Sequence, residues 1–96
     1  MMEIVLSDSA LNDLQAILDW YQQERIPEVG MRLVDTILQQ VDQIKDHPLS
    51  GRIVPEYANP KLRELIRPPY RIVYSIEENT YCIVRVWRSE RLLRLD

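Results

Sequence analysis

Arginines recur through the second half of this chain at Arg52, Arg63, Arg67, Arg71, Arg85, Arg88 and Arg91, with Glu56 among them. A guanidinium presents a planar fork of donors that matches a carboxylate or a phosphate two bonds at a time. Gathered on one surface, such groups would recognise an anion. The plainer reading is a solvated sheet whose arginines balance Glu56, Glu64 and Glu90. Residue types alone weigh these two readings about equally. His47 is the one histidine and adjoins Pro48, where it suits the negative end of a helix better than catalysis. Cys82, between Tyr81 and Ile83, reads as a small apolar strand residue.

The net charge of −3 conceals an asymmetry. Residues 1–49 carry three basic side chains against nine acids, and residues 50–96 carry nine against six. The halves are therefore −6 and +3, and an anionic partner would meet the second. With 96 residues, 46% of them apolar, the chain has the material for a single domain, 1–96, around one core. A lone cysteine rules out an internal disulfide framework and suits a reducing cytoplasm. The short apolar start, interrupted by Glu3, reads as a strand and not as a signal peptide. No apolar run is long enough to span a bilayer, so no membrane partner is expected.

Several elements must position those arginines. After a first strand, Leu11, Leu14, Ile17, Leu18 and Tyr21 form a helical stripe, capped by Ser7 or Ser9. Pro27 ends that helix and suits the first turn of a second, whose apolar face is Gly30, Leu33, Val34, Ile37, Leu38, Val41 and Ile44. So short a break makes an antiparallel helical hairpin. Residues 47–60 form a proline-rich loop. Strands follow at about Leu62–Arg67, Tyr70–Ile76 and Thr80–Trp87, and Ser89–Asp96 forms a strand extension or a terminal turn. The expected fold is α+β, ordered β-α-α-β-β-β, with the hairpin packed on one face of a small antiparallel sheet. The other face is left wet or open to a partner.

Strand alternation assigns the faces. Tyr70, Ile72, Tyr74 and Ile76 point to the core, which leaves Arg71 on the open face. Its neighbouring strand supplies either Arg63, Leu65 and Arg67 or Leu62, Glu64 and Ile66, and the arginine set is the better match for an open face. On the last strand Cys82, Val84 and Val86 are preferred inward, although the reverse also fits. On this reading Arg71→Ala weakens target action and leaves the fold intact.

An ordered series of motifs adds to this. Pro48-x-x-Gly51-Arg52-Ile53-Val54-Pro55-Glu56 is followed by Leu62-Arg63-Glu64-Leu65 and by Tyr70-Arg71-Ile72-Val73-Tyr74. Val84-x-Val86-Trp87-x-Ser89-x-Arg91 closes the series. Together they resemble the RelE/ParE family of bacterial toxins. The resemblance implies a type II toxin covered by a cognate antitoxin, acting either as a poison of DNA gyrase or as a ribosome-dependent mRNA endonuclease. It implies no cofactor and no metal. It also implies that Arg52, Arg63, Arg67, Arg71, Trp87, Arg88 and Arg91 meet the target or the antitoxin. In the nuclease branch the arginine matching Arg71 contacts the scissile phosphate.

Cleavage through the 2′-hydroxyl needs a base, an acid and cations for the phosphorane. Glu56 would be the base, and Arg71, Arg63 and Arg88 the cations. The family often has a histidine where this chain has Arg88, and no acid is visible. Gyrase poisoning is therefore the favoured reading. The mRNA endonuclease and a non-toxic antitoxin-binding relative are the alternatives.

Overall fold

The computed structural model describes residues 2–95. The elements are β1 (Glu3–Leu6), α1 (Asp8–Gln23), α2 (Pro27–Gln43), β2 (Arg52–Ile53), β3 (Leu62–Arg67), β4 (Tyr70–Ile76) and β5 (Thr80–Arg88). The five strands form one sheet in the order β1-β5-β4-β3-β2. Pairing is antiparallel from β2 to β5, while β1 lies parallel to β5 and makes the sheet mixed. The chain can return to a parallel neighbour because the helical hairpin and three strands intervene.

Ser7 starts α1. Its Oγ accepts the Ala10 N–H at 3.0 Å and its hydroxyl donates to the Val84 carbonyl at 2.8 Å. Here one cap satisfies an orphan helical amide and ties the helix to β5. The helix ends in a Schellman turn, in which Arg25 adopts φ 63° and the amides of Arg25 and Ile26 return to the carbonyls of Gln22 and Tyr21. Pro27 then opens α2 at its first turn. The helices cross closely at Gly30, where a Cβ would lie 2.9 Å from that of Tyr21. The apolar stripes of both helices meet Ile72, Tyr74, Tyr81, Ile83 and Val86 of the sheet in the main core.

The second face of the sheet is not open. Val54, Leu62, Val73 and Leu93 form a smaller core there, flanked by Val84, Trp87 and Leu95. The 54–58 loop and the chain after β5 fold across it. Leu93 is the buried apolar residue that makes this closure favourable, being 4% exposed in the segment after β5.

Alternation holds for β4, whose Ile72 and Tyr74 join the main core while Arg71 and Val73 face the other way. It fails for the assignment made to β3. The register sets Glu64 opposite Val73 and Leu62 opposite Ser75, so Leu62, Glu64 and Ile66 share Arg71's face. Arg63, Leu65 and Arg67 lie on the helix side, and Leu65 packs on the main core. On β5 a bulge opposite Val73 and Tyr74 inserts one residue and reverses the alternation midway. Tyr81 and Ile83 point inward before it and Val86 after it, whereas Cys82 lies opposite Ser75 and Val84 packs on the second core. No single parity describes that strand.

Candidate functional site

Arg71 lies at the middle of the second face, and its side chain is 4% exposed. Nη1 donates to Glu56 Oε1 and to Glu64 Oε1, each at 3.0 Å, and Nη2 donates to Glu56 Oε2 at 2.6 Å. Nη2 also reaches the Arg91 carbonyl. The Glu64 side chain is fully buried and receives a further bond from Arg52 Nε at 2.6 Å. Glu56 accepts the Leu93 N–H at 2.7 Å in addition. Both carboxylates and the fork of Arg71 are therefore committed to one another and to the backbone of the tail. A buried charge requires this pairing, since desolvation alone would cost several kcal/mol per ion.

The electrostatics follow from that geometry. The hydrogen bonds from Arg71 hold the Glu56 carboxyl down to about 2, against an opposing effect of burial. In turn the Arg71 guanidinium is raised further above its ordinary value, first by Glu56. Glu56 titrates near 4.5 in the unfolded chain and near 2 in the folded one, so its bond is fully present above the first value and lost as pH falls through the second. The loss amounts to about 3 kcal/mol between those limits. Urea melts at pH 7, 4.5 and 3 should show stability falling across that window. Glu56→Gln should flatten the part of the slope that this carboxylate contributes, and an unchanged slope in that variant would contradict the assignment.

The C-terminal segment is held by its backbone. Besides the bonds from Arg71 and to Glu56, the Trp87 indole donates to the Leu92 carbonyl at 3.2 Å, and the Leu95 N–H donates to the Tyr57 hydroxyl at 2.9 Å. Just before β2 the chain is secured in a similar way. Tyr74 Oη donates to the Pro48 carbonyl at 2.6 Å and accepts the Gly51 N–H at 3.1 Å. A Cβ on Gly51 would stand 2.6 Å from that hydroxyl, so glycine is needed for the close approach.

The remaining residues anticipated at the site are dispersed. Arg63 is tied to loop carbonyls, Nε to Pro60 at 3.0 Å and Nη1 to Gly51 at 2.9 Å. Arg67 is exposed at the end of β3 and, like Arg91, has no side-chain ion pair among the described residues. Arg88 is on the helix side, bonded to Glu90 at 2.6 Å and 5.6 Å above the Tyr70 ring. Trp87 packs beside the second core with the Arg85 guanidinium 4.3 Å above its ring. His47 occupies the exposed turn after α2. Cys82 is half-buried, and burial pushes its thiol up. The structure thus gathers Arg52, Glu56, Arg71 and the Arg91 backbone, and leaves Arg63, Arg67 and Arg88 outside that cluster.

Two functional-looking partnerships were not anticipated. Glu64 is buried on Arg71's face, where the alternation it shares with the buried Leu62 puts it. Asp13 accepts from Arg85 Nε at 2.7 Å and Nη2 at 2.8 Å, and from the Val86 N–H at 2.9 Å. Asp13 lies 72 positions from Arg85, and no local pattern links them.

A helical hairpin on a mixed five-stranded sheet, with the tyrosine-arginine strand at its centre, defines a toxin domain of the RelE/ParE type. The family model described as "ParE toxin of type II toxin-antitoxin system, parDE" matches residues 4–93. The chain belongs to this ParE toxin family. A solved structure titled "Chromosomal ParDE TA system from P. aeruginosa" resembles it with a TM-score of 0.77 and 28% identity, covering 94% of this chain and 98% of that one. No curated protein matches the chain.

Proposed function

We propose that this type II toxin stops growth by binding and poisoning DNA gyrase in the cytoplasm, and that a cognate antitoxin neutralises it. The observation that carries this reading is the closed pairing of Arg71 with Glu56 and Glu64. An RNA-cleaving site needs a general base whose pKa lies near the working pH. Glu56, held at about 2, is too weak a base for that role. Arg71 would have to leave the buried Glu64 and the half-buried Glu56 before its fork could meet a phosphate. Arg88, on the opposite side of the sheet, is not placed to assist it. These features favour a toxin that acts by binding over the alternative of a ribosome-dependent mRNA endonuclease. Membership of the ParE family favours the same choice.

Induced expression without antitoxin separates the two mechanisms. Filamentation and an SOS response with intact transcripts are expected. New cleavage sites within translated codons, mapped by primer extension, would overturn the gyrase reading. A soluble, antitoxin-free protein with no effect on growth would leave only antitoxin binding.

A further inference from the structure

The face of the sheet away from the helical hairpin carries a pocket of about 380 Å³, between Arg52 at the start of β2 and the segment after β5. Its ion pairs leave one charge over. Arg52 and Arg71 are met by Glu56 and Glu64, and Glu90 is met by Arg88. Arg91, exposed on the lining, has no side-chain ion pair among the described residues.

A donor is left over as well. Arg71, whose side chain is 4% exposed, also lines the pocket, and its Nε is buried without an acceptor among the described residues. The guanidinium is planar, so the direction of this N–H follows from the bonds beside it. Glu56 takes the outer edge through Nη1 and Nη2, and the Arg91 carbonyl takes the remaining hydrogen of Nη2. The Nε hydrogen runs parallel to that last one and faces the same segment, residues 89–92, which walls the pocket. A buried donor of a charged group is costly to leave unpaired.

The mouth is apolar. Leu92 is 79% exposed there, more than any other large apolar side chain described. Ile66, opposite Arg71 on β3, is 44% exposed on the same face. A nucleic-acid backbone brings a charge at every nucleotide, which one spare cation does not answer.

We propose that this pocket receives a single acidic side chain of the toxin's protein target. One carboxylate oxygen accepts from Arg71 Nε and the other meets the Arg91 guanidinium, while an apolar neighbour covers Leu92 and Ile66. Residues 89–92 are exposed throughout, so a small outward shift of that wall admits the carboxylate. One spare charge in a space this size suits one side chain of a folded surface. A disordered acidic antitoxin segment, with many charges, would need several free cations. The proposal rests on the reading that the toxin acts by binding a protein, and it holds whichever protein that is.

Arg91→Glu tests it, because Arg71 uses only the carbonyl of that residue and the substitution keeps it. Melting temperature and affinity for the co-expressed antitoxin should stay unchanged. Growth inhibition should demand at least about tenfold more induced toxin, since a carboxylate would then face a carboxylate. Arg91→Lys should restore most of the potency, and Leu92→Ser should lose potency too. Full potency in Arg91→Glu would overturn the proposal. So would loss of antitoxin binding in that variant, which would give the pocket to the antitoxin. A loss confined to Arg91→Glu, with Leu92→Ser at full potency, would favour a phosphate backbone and overturn it as well. If Arg91→Glu fails to fold, Leu92→Ser decides alone. Supercoiling by gyrase in the presence of wild-type toxin reports separately on the gyrase reading. Supercoiling left unaffected, while Arg91→Glu still loses potency, sinks that reading and leaves this one. A wild-type chain that does not inhibit growth overturns both.

Discussion

Arg71→Ala is expected to unfold much of this protein at physiological temperature. The substitution strips Glu64, whose side chain is fully buried, of its Nη1 donor and leaves it only the largely exposed Arg52. It also removes two bonds from Glu56 and one from the Arg91 carbonyl. Breaking a buried pair by deleting one member costs about 3–5 kcal/mol, because the remaining charge keeps its desolvation penalty. Domains of this size are stable by only about 5–15 kcal/mol in total. A melting temperature lower by at least about 15 °C follows, at several degrees per kcal/mol. Arg71→Lys should recover only part of this, since an ammonium cannot reproduce the fork. Arg71→Met combined with Glu64→Met should melt above Arg71→Ala, because it leaves no orphaned carboxylate at position 64. A thermal melt of Arg71→Ala matching the wild type would contradict the network. The sequence-based expectation that this variant keeps its fold is therefore reversed, and loss of toxicity in it would not by itself identify a contact with the target.

A chain ending at Arg91 should lose about 3 kcal/mol and keep its helices. The deletion removes Leu93 from the second core, and truncating a buried leucine to alanine already costs about 2–5 kcal/mol. It also frees one acceptor site of Glu56 and the hydroxyl of Tyr57, both now bonded to tail amides. Arg71 keeps an oxygen of Arg91, now in the terminal carboxylate, and the main core, which lies on the other face, is untouched. Urea denaturation should therefore show a lower midpoint with far-UV dichroism nearly native. The emission of Trp87 should shift to the red as the Leu92 contact goes and water reaches its ring. An unaltered midpoint would show that the tail only rests on the sheet.

Much of the fold was legible because it is local. The apolar stripes of α1 and α2, the proline at residue 27 and the alternation of β4 each depend on residues a few positions apart. The site was less so. Arg71 was placed on its correct face, but its burial depends on Glu56, fifteen positions before it, and on a leucine twenty-two positions after it. Arg63 was assigned with Arg71 because an arginine-leucine-arginine alternation looks like a wet face. The structure instead buries Glu64, whose charge is offset by the guanidiniums of Arg52 and Arg71. The β5 bulge has no marker in the sequence, so neither parity could be right throughout. The count of arginines misled for a related reason. Arg52, Arg71, Arg85 and Arg88 are each paired with a carboxylate of the same chain, so the surface is far less positive than composition suggests.

On the proposed function this ParE-family toxin works by binding gyrase, and Arg71 holds the fold and not a phosphate. Purified toxin added to gyrase and relaxed plasmid, and in parallel to a translating ribosome extract, tests it most directly. Loss of supercoiling with accumulation of cleaved plasmid, and mRNA left intact, is the expected result. Cleavage of translated mRNA by a toxin that leaves supercoiling unaffected would contradict it.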